Sequence, residues 1–268
     1  LPFIEQQALY AKFDSRVPPI NEAVAFGHPA AIVASNIQVI STPLAVFACP
    51  STPGSPEERV SNPVGIPAGM LAGFPALTWG AAPCDYICTA GVRTTFANIA
   101  YSGNAGGDRD GVMQEYCGNA GVTLGLITSA SSPSRLADIT DGTSNTIMLA
   151  ERVGFPNIYG KGGIVWASAK TAGPYQDLAK VNGGGWGDIM NADNWISGSL
   201  VTGPAYPSAG GPCAINCSSM RSEGLYSFHP GGIQVLLADA SVRFVSEATN
   251  AFVLASAITR KKGETFSW

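Results

Sequence analysis

Apolar residues along the first fifty positions recur at two different spacings. Phe3, Ile4, Ala8, Leu9 and Phe13 fall near helical intervals and predict a short amphipathic helix over residues 3–13. Residues 29–40 open with proline at the first turn and continue as an apolar stretch, which predicts a second helix. Their β-branched content suits a strand almost as well. "LAVFACP", residues 44–50, is a compact apolar run halted by proline and is expected as a buried strand. The next ordered pattern comes much later. A D-G turn leads into a strand over residues 146–153, where Thr and Ile occupy favoured places. "IQVLLA" (233–238) and "VRFVS" (242–246) flank "DAS", a β-hairpin signal. A closing helix is predicted over 249–259, with Thr249 as its N-cap.

Between these blocks the pattern dissolves. Prolines stand at 50, 53, 56, 63, 67, 75 and 83, and the text from 84 to 121 is glycine, asparagine and aromatics. Residues 154–224 are equally loop-like. The chain therefore reads as one domain over 1–268, with loop insertions near 51–121 and 154–224. Composition agrees: 32 Gly, 19 Pro and only 13% charged residues, about half the usual charged share. Hydrophobic content of 46% still supports a packed core. The implied class is α+β: an antiparallel β-sheet, flanking helices and long Gly/Pro-rich loops.

A net charge of −4 without a basic stripe argues against nucleic-acid binding. No stretch reaches the ~18 apolar residues of a membrane-spanning helix. The first residues also lack the profile of a signal peptide. The chain begins without Met and in mid-pattern, so an N-terminal piece is expected to be missing.

Cysteines lie at Cys49, Cys84, Cys88, Cys117, Cys213 and Cys217. The two C-x3-C spacings differ from the C-x2-C of zinc knuckles and redox motifs. An even count in such a chain fits disulfides in an oxidising compartment, and one helical turn would bring each C-x3-C pair to bonding distance. A zinc site built from the two pairs is the alternative. Asp108 and Asp110, and separately Asp188, Asn191 and Asp193, offer spaced oxygens that suit either a weak Ca²⁺ loop or plain turns. Neither matches the EF-hand pattern. "NCS" at Asn216 fits the N-glycosylation pattern. Trp186 and Trp195, set among glycines, suit a ligand platform or loop plugs.

"SFHPGGIQVLLADASVRF" holds the pair an enzymologist would seek, His229 and Asp239. A six-residue strand between them spans about 20 Å, so the two cannot share a proton or a metal. Asp239 is expected to begin the hairpin turn, and His229 to bond a backbone group at the strand entrance. No nucleophile–base set or metal set emerges elsewhere, so no catalytic residue is assigned.

Taken in order, "LPFIEQQALYAKFD", "VFACPSTP", "LADITDGTSNTIMLAER", "SFHPGGIQVLLADASVRFVSE" and "RKKGE" resemble a planctomycete pilin-like family. That family is known for a prepilin-type, processing-associated His-x9-Asp-Gly motif and is similar to type IV pilins and type II secretion pseudopilins. The resemblance implies a non-enzymatic, exported head domain outside the inner membrane, at the cell surface, in the periplasm or beyond. It implies a leader removed by a prepilin peptidase, a hydrophobic N-terminal helix absent from this chain as the sole membrane contact, and self-assembly or assembly with related subunits. It also favours disulfides and no cofactor. His229, Gly231, Gly232 and Asp239, with Asp141 and Gly142, carry the motifs as structural residues. Ala240 stands where the family has Gly, which puts a positive-φ turn there in question. An extracellular ligand- or glycan-binding domain is the alternative function.

Overall fold

The computed structural model of the protein describes residues 1–71, 73–113, 134–192 and 194–268. Its class is α+β, with a four-stranded antiparallel sheet and several helices. Its contacts sort into two units. One comprises residues 1–85, 154–158 and 167–191, the other 86–153, 159–166 and 192–268. Among the described residues no helix is long and apolar enough to cross a membrane.

In the first unit, residues 29–40 resolve as helix Ala30–Ile40 with Pro29 as N-cap. Proline fixes φ at the position where a missing N–H costs nothing. Val33, Val39 and Ile40 are buried, and so is Asn36. That amide accepts from the Asp14 N–H at 2.9 Å and donates to the Asp14 and Val17 carbonyls at 2.8 and 2.7 Å, anchoring the N-terminal segment. Residues 3–13 do not form the expected single helix. They break into a 3₁₀ turn, Pro2–Ile4, and a single α-turn, Gln7–Tyr10, with Glu5 at φ +59° between them. Neither piece buries a residue, so nothing offsets the cost of nucleating a helix there.

Two further expectations fail in this unit. Residues 44–50, expected as a strand, form a 3₁₀ turn at Ala45–Phe47. The run is too short between Pro43 and Pro50 to build a ladder, and the Phe47 carbonyl instead accepts the Asp85 N–H. The proline-rich section expected as loop holds an antiparallel pair, β1 (Ser61–Ile66) and β2 (Leu77–Ala81). Pro63 is tolerated because the register shifts between Ser61 and Val64, where no ladder N–H is required. Trp79 is buried on this hairpin.

Asp85 and Arg59 form the polar centre of the unit. Both side chains are almost fully buried. Arg59 ends a helical turn, Pro56–Arg59, started by a Ser55–Glu58 capping box. Its guanidinium grips Asp85 through both terminal nitrogens, Nη1 at 2.8 Å, and its Nε donates to the Phe155 carbonyl at 2.9 Å. Asp85 also accepts from the Cys49 N–H at 2.8 Å, the Thr52 hydroxyl at 3.2 Å and the Gly154 N–H at 3.4 Å.

The second unit is built on a sheet of order β10–β9–β5–β3, antiparallel throughout. Its strands are β3 (Tyr86–Cys88), β5 (Ile147–Glu151), β9 (Gly232–Leu237) and β10 (Val242–Ser246). A minor parallel pair joins β4 (Gly91–Val92) to β8 (Trp195–Ile196), and the short strands β6 (Asn157–Gly160) and β7 (Ile164–Ser168) precede β8 in the chain. Ile233, Val235 and Leu237 of β9, Ile147 and Ala150 of β5 and Val245 of β10 face a core that also takes Phe96 and Leu254. Those two come from helix Thr94–Ala100, which the glycine-rich text conceals, and helix Ala251–Ile258. The cap of the latter is Asn250, one residue after the expected Thr249, with its side chain accepting from the Phe252 N–H at 2.8 Å.

Arg59→Met should destabilise the protein by about 3–5 kcal/mol, because it leaves the Asp85 carboxylate buried without its counter-charge. Urea unfolding monitored by tryptophan fluorescence reads the change.

Candidate functional site

The motif residues all gather around β5 and β9. β5 pairs with β9 through Ile147↔Leu237, Leu149↔Leu236 and Ala150↔Val235. At the next position the backbone ladder stops and a side chain takes over. The Glu151 Oε2 accepts the Gln234 N–H at 2.7 Å, while its own carbonyl accepts the Tyr226 N–H at 2.9 Å. Its Oε1 lies 3.2 Å from the His229 Nε2. Glu151 is only 1% exposed. The expected backbone partner of the His229 imidazole is thus corrected to a buried carboxylate. The sequence signal for it is modest: one acidic residue closing an otherwise apolar strand.

The entrance to β9 is held by a small network. Ser227 donates its hydroxyl to the Gly232 carbonyl at 2.7 Å and accepts the His229 N–H at 3.1 Å. Gly231 lies at φ +80°, and a Cβ on Gly232 would sit 2.2 Å from the Val245 carbonyl oxygen. The two glycines of "HPGG" therefore answer separate demands, one for a left-handed turn and one for close strand approach. Asn216 accepts the Ser227 N–H at 2.9 Å and donates its amide to the Gly232 carbonyl at 3.2 Å. This places the "NCS" side chain in the fold's own hydrogen bonding. Asn216 lies inside the loop closed by a disulfide, Cys213–Cys217, with Cα atoms 6.1 Å apart. Next to His229 opens a cavity of about 370 Å³, bordered by Tyr226, Phe228, Asn216, Lys161 and Glu247.

The opposite end of β9 carries Asp239. Its Oδ1 accepts the Ser241 N–H at 2.9 Å and hydroxyl at 2.6 Å, and these bonds hold the carboxyl below the usual range. Ala240 lies at φ +68°, so the turn does demand the conformation that glycine adopts without strain. The Asp239 and Ala238 N–H groups donate to the Thr143 and Thr146 carbonyls. These belong to the "DGTSN" turn, where the Gly142 carbonyl accepts the Thr146 hydroxyl at 2.9 Å. Asp141 in the same turn accepts the Lys262 and Gly263 N–H groups at 2.8 and 3.0 Å. Three separated motifs interlock here through backbone amides. His229 and Asp239 stand at the two ends of one strand, about 20 Å of chain apart.

The remaining candidates scatter. Trp186, in the first unit, stacks on Phe47 and donates its indole N–H to the Thr42 carbonyl at 2.9 Å. Trp195, in the second, packs against Gly91 and lies 5.9 Å from the Arg93 guanidinium. Asp108 pairs with Lys261 at 2.9 Å and Asp110 with Arg260 at 3.4 Å, so cations of the chain itself face both carboxylates. Burial and the Asp108 charge push the Asp110 carboxyl up. Asp188 accepts the Met190 N–H at 2.8 Å in a turn, and Asp193 lies outside the described residues. So does Cys117. Among the described residues Cys213–Cys217 is the one disulfide. Tyr86–Cys88 is extended strand, and extended backbone carries residues four apart out of bridging distance.

Chemically, the Glu151–His229 pair is an oriented imidazole within the second unit. The nearby Ser227 hydroxyl proton is already given to a carbonyl, and hydrolytic chemistry needs that group poised toward the base. The arrangement defines an α+β protein in which His229, Asp239 and Asp141 fasten turns. The chain belongs to the family described as Protein of unknown function (DUF1559), which it matches over residues 1–251. None of the curated proteins and none of the solved structures matches it.

Asp141→Ala should cost about 2 kcal/mol by releasing two amides from a charged acceptor, read as a lowered denaturation midpoint. Ala240→Gly should act in the other direction and raise stability by about 1 kcal/mol, because glycine relieves the left-handed strain.

Proposed function

We propose that this chain is the head of an exported, pilin-like structural subunit that assembles with copies of itself or with related subunits, after a prepilin peptidase has processed the precursor. The observation that carries the reading is the role of the motif residues. His229, Gly231, Gly232, Asp239, Asp141 and Gly142 each fasten or shape a turn around β5 and β9. Residues used for such geometry suit a scaffold better than an active centre. The Cys213–Cys217 bridge favours an oxidising compartment. Strand β10 closes one edge of the sheet and exposes Val242 and Phe244, 68% and 48% accessible, a surface that suits contacts between subunits.

Electron cryomicroscopy of cell-surface material should find ordered polymers containing this chain. Dispersed monomers on native cells would overturn the proposal.

A further inference from the structure

Lys161 and Glu247 border two cavities at once in the second unit. One is the chamber of about 370 Å³ beside His229, with Phe228, Tyr226 and Asn216 in its wall. The other holds about 260 Å³ and is floored by Phe96, Ala214, Ile215 and Leu254, all buried. The side chains of Lys161 and Glu247 form no hydrogen bond or ion pair among the described residues. One cation and one anion thus stand at the junction of two chambers, one of which has an apolar floor.

We propose that this junction binds an α-amino-acid unit with an apolar side chain. Its ammonium would meet Glu247 and its carboxyl or carbonyl oxygen Lys161, while its side chain fills the chamber over Phe96 and Leu254. A branched aliphatic side chain fits over that apolar floor with room to spare, and burying it supplies the favourable term that an exposed ion pair alone lacks. The chamber of about 370 Å³ adjoining the same two charges leaves room for a chain that continues past the first residue. Glu151 holds His229 at that wall, so the family motif borders the site without contributing a reacting group. Two sources present the same chemistry, a free amino acid and the N-terminal residue of a peptide. The inference does not depend on the filament reading.

Titration calorimetry of the intact chain with L-leucine, Leu-Gly, N-acetyl-leucine and leucinamide tests it. Leucine or Leu-Gly should bind at ligand concentrations up to about 10 mM. N-acetyl-leucine, which lacks the ammonium, should bind at least about tenfold more weakly than leucine. Glu247→Gln should weaken leucine by a similar factor while leaving N-acetyl-leucine unchanged, and Lys161→Gln should weaken leucine more than leucinamide, which offers Lys161 a neutral carbonyl. Both side chains are exposed, so both variants should keep the wild-type unfolding midpoint. Tighter binding of Leu-Gly than of leucine assigns the site to peptide N-termini, and the reverse assigns it to free amino acid. No binding of either ligand, or binding that ignores both substitutions, overturns the proposal.

Discussion

Every buried backbone amide must find an acceptor, and in a chain with this much loop the regular ladders cannot supply them all. Carboxylates fill the gap. Asp85 takes the amides of Cys49 and Gly154, Glu151 that of Gln234, and Asp141 those of Lys262 and Gly263. Glu22 takes Thr78 and Glu223 takes Ala205. The acceptor is a carboxylate oxygen in each case, and an ionised carboxylate makes such bonds stronger than neutral ones. Burial pushes the Glu223 carboxyl up despite the Ser218 hydroxyl and the amides around it, which shows how little solvent reaches that position. A chain with so few charged residues places a good share of its acids where the backbone would otherwise be unpaired.

The same constraint explains the spacing of His229 and Asp239. A histidine and an aspartate nine residues apart suggest catalysis until the strand between them is drawn. Each end then proves to be a fastening point. Asp239 closes the hairpin turn through Ser241, and His229 leans on Glu151 where the β5–β9 ladder runs out. The disulfide loop adds a further tie, since Asn216 bonds both Ser227 and Gly232. Residues far apart in the chain thereby fix the entrance and exit of a single strand.

Legibility followed the range of the interactions. The β9–β10 hairpin, strand β5 and helix Ala30–Ile40 were readable because periodicity, turn residues and a leading proline act within a few positions. The β1–β2 hairpin was hidden, because prolines that normally exclude strands are harmless beside a shift in register. Residues 44–50 look like a strand by composition, yet they lack the length to pair. Helix Thr94–Ala100 carries little pattern of its own and owes its place to burial of Phe96, Ala97 and Ala100.

The sequence by itself determined the α+β class, the strand that carries the motif and the separation of His229 from Asp239. All three rest on local backbone geometry. Only the tertiary structure decided what those residues touch. Glu151 meets His229 across 78 positions, Asp141 meets Lys262 across 121, and Arg59 meets Asp85 across 26. Such partners are chosen by which buried charges and amides the packed chain leaves adjacent, and no local spacing encodes that choice.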